Sequence, residues 1–566
     1  MKNLSSKKGK YKVAYFSMEI ALENGIKTYA GGLGVLAGDT LRSAADLGLP
    51  MLGVTLLNNL GYFKQKINDK GDQEELVSNY DFSKLKKLPN QVKVKIGRDD
   101  VSVGVWEYLI QGQGEYLVPV YLLDTNILGN LPKYSSLTGQ LYGPGKDYRL
   151  MQEIILGRAG IKILQSLKHR YIKKFHINEG HGSLAAIELF LNSKEKNTAD
   201  KLDEVRRKCV FTTHTPVFAG HDVFPLEFIL EYQKDFPYKL KSLVDKDKKV
   251  NMTKIGLYFS NFINGVALSH QKVSNKMFPN YPIHAITNGV HSETWTSPAF
   301  AKIYDKYIPN WRNSNLSLRN AFNIPLSTIW QAHQKSKKAL LDYIYKKQKV
   351  RLEQNVFTIG FARRFTGYKR SNLLFQDIKK LLHIHKNVGE IQIIYAGKAH
   401  PNDDDGKNLI KEIFRIKDKY KSEIKIVFLE GYEMKLAKLM ISGVDVWLNT
   451  PLPPNEASGT SGMKAAHNGV PHFSTLDGWW IEGYIKDKTG WAIGKKRNGT
   501  NLIELNKKDA ESLYYNLEKN ILPRYYGNPR KWQETMQHTI AINASFFNTE
   551  RMLQQYIQEN YFVSET

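Results

Sequence analysis

The stretch N-E-A-S-G-T-S-G-M-K-A-A-H-N-G, Asn455 to Gly469, decides the reading of this chain. It follows V-D-V-W-L-N-T-P-L (residues 444–452), an apolar, β-prone run with the pattern of a buried strand. It runs into A-A-H-N, a helical turn closed by Gly469. Strand, small-residue loop, helix is the layout of an α/β anion site. Gly459 and Gly462 let backbone approach a ligand. Ser458, Thr460 and Ser461 offer hydroxyls, and the N–H groups at the helix start favour a phosphate. Lys464 comes four residues after Thr460, one helical turn on. A lysine beside a phosphate cradle serves either as a phosphate counter-charge or as the amine of a pyridoxal phosphate Schiff base. No G-K-[ST] follows the glycines, so this is not a P-loop. The plain alternative is a tight loop with a solvated lysine.

Outward from this stretch, the second half of the chain alternates strand and helix. Strands are expected at 356–362, 391–396, 424–429, 444–448 and 470–475. Helices are expected at 369–384, 405–420 and 434–442. That alternation predicts a mostly parallel sheet covered by helices. The first of these strands ends in F-A-R-R-F-T-G-Y-K-R, which gathers Arg363, Arg364, Lys369 and Arg370 at a strand-to-helix turn. Arginine grips phosphate bidentately and lysine adds a point charge. The run L-D-G-W-W-I-E-G-Y (residues 476–484) reads as exposed aromatics, for sugar stacking or for packing.

The first half begins with a strand at 12–18 and a G-G-x-G turn at Gly31, Gly32 and Gly34 that opens a helix. A second strand follows at 51–57, making a βαβ start. The spacing is not G-x-G-x-x-G, so bare backbone approaching an anion or sugar fits better than a dinucleotide. Residues 60–73 read as a hairpin, 93–123 as a meander and 146–167 as a long amphipathic helix. H-I-N-E-G-H and T-T-H-T-P place His181 and His214 at the carboxyl ends of strands, and T-N-G-V-H does the same for Asn288. That edge is where ligands sit in open α/β sheets. His176, Glu179 and His181 are not spaced as H-E-x-x-H, and no metal is expected.

Composition bounds the rest. A chain of 566 residues is too long for one core. Its single cysteine, Cys209, excludes an intrachain disulfide and a cysteine metal cluster. The net charge of +26 is spread through lysine-rich surface segments rather than gathered in one groove, so no nucleic-acid partner is expected. Residues 1–11 are basic but no apolar signal follows, and no apolar run is long enough to span a bilayer, so a cytoplasmic protein without a membrane partner is expected.

Six motifs now carry a resemblance: Y-A-G-G-L-G-V-L-A-G-D (Tyr29 to Asp39), H-I-N-E-G-H, T-T-H-T-P-V-F-A-G-H-D (Thr212 to Asp222), T-N-G-V-H, F-A-R-R-F-T-G-Y-K-R and E-A-S-G-T-S-G-M-K. In order and number they resemble the α-glucan phosphorylases, the pyridoxal-phosphate-dependent enzymes of glycogen, starch and maltodextrin, in particular their compact bacterial branch. The resemblance implies an α/β fold of two Rossmann-like domains facing a cleft, the glycosyltransferase-B fold. The domains are expected at 1–298 (glucan-binding) and 299–535 (cofactor-binding), with helices at 536–566 packing back on the first. It implies that Lys464 carries pyridoxal 5'-phosphate, with Thr460, Ser461, Gly462 and Arg363 at the cofactor. Arg364 and Lys369 take the substrate phosphate. Gly31, Gly32 and Leu33 form the glycine-rich loop, and His214 contacts the sugar in the scissile subsite. His181, Asn288, Glu456, Ser458 and Gly459 complete the substrate contacts. The partners implied are an α-1,4-glucan and inorganic phosphate, in a homodimer.

Two departures stand out. The family's usual G-T-G-N-M-K is here G-T-S-G-M-K. The segment between Met18 and Gly31 is brief, so the effector control of the long animal and plant members is not expected. The rival readings are a nucleotide-sugar glycosyltransferase of the same fold, which would need no pyridoxal phosphate, and a non-catalytic glucan-binding protein.

Overall fold

A computed structural model describes residues 11–78, 80–240, 242–495 and 501–562. The basic stretch 1–10, and Lys241 of one lysine-rich segment, lie outside them. By internal contacts the chain divides into two compact units. The first is Met1–Tyr62, Val77–Thr287 and Met552–Thr566; the second is Phe63–Leu76 and Asn288–Arg551.

The chain opens with β1 (Val13–Ser17), helix α1 (Gly32–Asp46) and β2 (Met51–Leu56). The hairpin β3 (Lys64–Ile67) and β4 (Gln73–Leu76) comes next. The meander β5 (Lys86–Ile96), β6 (Asp99–Gln111) and β7 (Leu117–Asp124) follows, then β8 (Lys174–Asn178) and β9 (Cys209–Thr212). A ribbon of β10 (Val223–Pro225) and β11 (Lys249–Asn251) precedes β12 (Phe262–Gly265) and β13 (His284–Ala285). The first unit's sheet has the order β13-β12-β9-β8-β1-β2-β7-β6-β5. It is parallel from β13 to β7 and antiparallel only through β6 and β5. Its central strands are buried along their whole length, as expected where both faces are covered. The expected helix at 146–167 is helical throughout but widens into a π turn at Ile155–Ala159. Gly157 in that turn lies so close to the next helix that a Cβ would come within 2.5 Å of the Ala185 nitrogen.

The second unit's sheet is built from β14 (Phe357–Ala362), β15 (Ile391–Ala396), β16 (Lys425–Leu429), β17 (Val446–Asn449), β18 (His472–Thr475) and β19 (Gly490–Ile493). Its order is β16-β15-β14-β17-β18-β19, and every pairing is parallel. One large cluster of buried apolar side chains fills this unit. The helix expected at 369–384 begins only at Ile378. Before it come short 3-10 turns at Gly367–Lys369 and Leu373–Phe375, because Arg370 takes a left-handed conformation (φ +46°) that an α-helix cannot continue through.

The hairpin β3–β4 precedes most of the first unit in sequence yet clusters with the second. Two glutamines explain this. Gln65 Nε2 donates to the Gly397 carbonyl at 2.8 Å and its Oε1 accepts from Gly431 N–H at 2.9 Å. Gln73 exchanges two hydrogen bonds of 3.0 Å with the Ala399 backbone. Among the described residues, no helix is long and apolar enough to cross a membrane.

Candidate active site

Both sheets contain a pair of adjacent parallel strands whose onward connections leave in opposite directions, and a crevice opens at the carboxyl ends of such a pair. In the second unit the pair is β14 and β17, since β14 leads to β15 and β17 to β18 on the other side. In the first unit it is β1 and β8.

The β14–β17 crevice holds a buried ion cluster. Arg363 and Lys369 come from the segment after β14, and Glu456 from the loop after β17. Glu456 accepts from Arg363 Nη2 at 2.6 Å and from Lys369 Nζ at 2.5 Å. All three are less than a tenth exposed. Burial alone would raise the Glu456 carboxyl, but Arg363 and then Lys369 outweigh it and hold it at about 2. Burial, followed by the Arg363 charge, lowers the Lys369 ammonium to about 7. One carboxylate therefore serves two cations, and the balance is positive before any ligand arrives. Arg363 Nη1 and Ser458 Oγ are buried and find no hydrogen-bond partner among the described residues. Such groups are costly unless something polar meets them. Arg364, the neighbour in sequence, is exposed.

Lys464 stands on the short helix Ser461–Ala466, its N–H bonded to the Thr460 carbonyl at 3.2 Å. The side chain is 8% exposed, and its Nζ lies 4.0 Å from the centre of the Trp295 ring. Gly459 has φ +82°, a conformation glycine adopts freely. The changed loop chemistry also has a structural reason. Ser461 Oγ accepts from Trp447 Nε1 at 3.0 Å. A Cβ on Gly462 would lie 2.7 Å from the His472 ring and 2.8 Å from Trp479. The space that an asparagine would need in G-T-G-N-M-K is filled here by those two rings.

A buried primary amine, the cations Arg363 and Lys369, and unmet polar atoms on Arg363 and Ser458 fit a ligand with an aldehyde and an anionic group. Pyridoxal phosphate has both. Asn288 is buried and its carbonyl accepts from Arg551 Nη2 at 3.2 Å. The aromatic run after β18 corrects the expectation of exposed rings. Trp479 and Trp480 are 1% and 0% exposed and pack with each other and with His472, so they serve packing.

In the first unit, the glycine-rich turn is held by Glu19, directly after β1. One Glu19 oxygen accepts from Ala30 N–H at 2.7 Å and Gly31 N–H at 3.1 Å, and the other from the Tyr142 hydroxyl at 2.7 Å. Gly31 precedes the first turn of α1, and Gly32 is exposed with open space where a Cβ would project. Leu33 is partly exposed beside them.

His214 follows β9. Its N–H donates to Glu179 Oε2 at 2.7 Å, and its Nε2 lies 2.6 Å from Asn178 Oδ1. Glu179 also receives the Gly180 N–H and the Thr215 hydroxyl, and it holds φ +74° to do so. A non-glycine residue in that region is strained and marks a constrained site. His181 packs edge-on to Tyr142, with its Nε2 3.4 Å from Asp222. Burial lowers both histidines to about 4, so both rings are neutral near pH 7.

The structure thus gathers Arg363, Lys369 and Glu456 in one crevice of the second unit, which also carries Asn288, Arg364, Ser458, Gly459, Thr460, Ser461, Gly462 and Lys464. Gly31, Gly32, Leu33, His181 and His214 lie in the first. Sequence reasoning passed over Glu19 and Tyr142 as site residues and weighed Glu179 only as a metal ligand. Glu179 sat inside a quoted motif. Glu19 and Tyr142 act on backbone or on another side chain, and spacing carries no trace of that.

The chain is similar to known proteins along most of its length. The profile described as carbohydrate phosphorylase matches residues 226–493. The chain is 36% identical to the maltodextrin phosphorylase of Thermococcus litoralis, over 97% of this chain and 70% of that one. It is 37% identical to the glycogen phosphorylase of Aquifex aeolicus, over 97% and 86%. It is 33% identical to the glycogen phosphorylase of Mycobacterium tuberculosis, over 97% and 70%.

Proposed function

The chain belongs to the carbohydrate phosphorylase family, and from that premise we propose how its own residues carry out α-1,4-glucan phosphorolysis. The reaction transfers a terminal α-1,4-linked glucose to inorganic phosphate. It gives α-glucose 1-phosphate with retained configuration, and it is reversible. The observation that carries the site assignment is the buried Arg363–Glu456–Lys369 cluster with its surplus of positive charge.

Lys464 holds pyridoxal phosphate, with Thr460, Ser461, Gly462 and Arg363 around it. When bound, the cofactor supplies a phosphate group that exchanges a proton with the substrate phosphate. Two phosphates in one crevice repel strongly, and Arg363, Arg364 and Lys369 offset that repulsion. Lys369 is well suited to this because burial lowers its ammonium only to about 7, and an arriving anion favours the charged form further. Glu456, Ser458, Gly459 and Asn288 take the glucose hydroxyls, together with His181.

The developing oxocarbenium ion needs electron-rich neighbours and no nearby cation. The carbonyl of His214 supplies the first. The neutrality of the His214 ring, kept by burial, supplies the second. Glu19 fixes the Gly31 backbone, so the glycine-rich loop keeps its shape without side chains. We further propose a homodimer, which the resemblance implies and sedimentation reads, and a cytoplasmic location.

The test of the cofactor assignment is borohydride reduction of protein incubated with pyridoxal phosphate, followed by peptide mapping. The label is expected on Lys464, and Lys464→Ala is expected to take up no cofactor and release no glucose 1-phosphate. Label on another lysine, or full activity in Lys464→Ala, removes the assignment.

A further inference from the structure

Glu456 must keep one position between two cations, yet it sits on a loop without regular structure. The turn after β18 holds that loop by its backbone. Thr475 Oγ1 donates to the Pro451 carbonyl at 2.8 Å, Asp477 Oδ2 accepts from Glu456 N–H at 2.8 Å, and Trp479 N–H donates to the Ser458 carbonyl at 2.9 Å. Between the two segments lies Gly478, at φ +53°, where a Cβ would come within 2.3 Å of the Ser458 oxygen. The other Asp477 oxygen accepts from Gly478 N–H at 2.9 Å. Each carboxylate oxygen thus meets its own N–H, and the group is 4% exposed.

A carboxyl in this place is expensive to ionise. Burial, and then the charge of Glu456, push it up to about 7. An apolar side chain would pack the turn without that cost, and Trp479 and Trp480 already pack it. The carboxyl group is therefore explained by the two N–H groups it receives rather than by filling space.

We propose that Asp477 is a positioning residue of the phosphorolysis reaction: by accepting the Glu456 N–H it fixes the backbone from which Glu456 reaches both its cations and the glucose hydroxyl. This rests on the reading of Glu456 as a sugar contact. Asp477 touches neither phosphate nor sugar and acts only through Glu456.

The experiment is a double-mutant cycle on the cofactor-loaded enzyme, with maltodextrin and inorganic phosphate as substrates. Asp477→Asn keeps the shape but turns an NH2 group towards one of the two N–H donors. It is expected to raise the KM for maltodextrin roughly tenfold with a smaller change in kcat. Glu456→Gln is expected to raise the same KM. The double variant is expected to be no worse than Glu456→Gln alone, because the two act through one contact. Multiplying effects in the double variant overturn the proposal, as does a wild-type KM in Asp477→Asn beside a raised KM in Glu456→Gln. A wild-type KM in Glu456→Gln removes the sugar contact itself, and the proposal with it. Should Asp477→Asn fail to fold, Asp477→Ser, which retains one acceptor, enters the same cycle with the same expectations.

Discussion

Gly462 shows most plainly how one residue records its surroundings. Read alone, its place in G-T-S-G-M-K is a departure from a familiar loop. In the structure it is a necessity, since the His472 and Trp479 rings occupy the space beside it. Both rings are buried and packed against each other, with 5.3 Å between centroids, so neither yields cheaply. Gly462→Asn should therefore destabilise the protein by about 2 kcal/mol, typical of overpacking, and weaken cofactor loading. A second change, His472→Ala, should return much of both by clearing the space. Thermal unfolding and pyridoxal absorbance read the two effects. An unchanged melting midpoint in Gly462→Asn would show that the rings move aside freely.

Among elements, the strand-end loops were legible from the chain and their supports were not. The alternation of apolar runs with helical segments placed all the parallel strands from β14 to β18 within a few residues, and the polar motifs fell at their carboxyl ends. The position of the β3–β4 hairpin was not legible. Its four-residue strands form a small sheet of their own, and what fixes them is a pair of glutamines bonded to the backbone beyond β15. Glutamines in a polar hairpin look like surface residues in sequence, yet Gln65 and Gln73 are 2% and 8% exposed. Gln73→Ala would leave the Ala399 N–H and carbonyl without these partners, at a cost of about 2 kcal/mol. Lys407→Ala removes only the partly buried ion pair that Lys407 makes with Glu75 of the same strand, and should cost less than about 1 kcal/mol. Chemical unfolding of the two variants should separate them in that order. Equal losses would mean that the hairpin is held by charge rather than by hydrogen bonds.

Across the whole molecule, the family and the reaction follow from relatives and motifs that span nearly the entire chain, whereas the charge balance of the site needed the structure. Nothing in F-A-R-R-F-T-G-Y-K-R says that Arg363 is buried and Arg364 exposed, or that Glu456, nearly a hundred residues on, accepts from both Arg363 and Lys369. Likewise the exposed reading of L-D-G-W-W failed because burial of Trp479 and Trp480 depends on rings that arrive from β18 and from Phe547. The proposed reaction uses inorganic phosphate at that cluster to remove glucose from an α-1,4-glucan. Glucose 1-phosphate release from maltodextrin by purified, cofactor-loaded protein decides this, read with and without inorganic phosphate in wild-type and Lys369→Ala. Phosphate-dependent release is expected in the wild type, and a KM for phosphate raised roughly tenfold or more in Lys369→Ala. No release from folded, loaded wild-type protein, or an unchanged KM for phosphate in the variant, would contradict it.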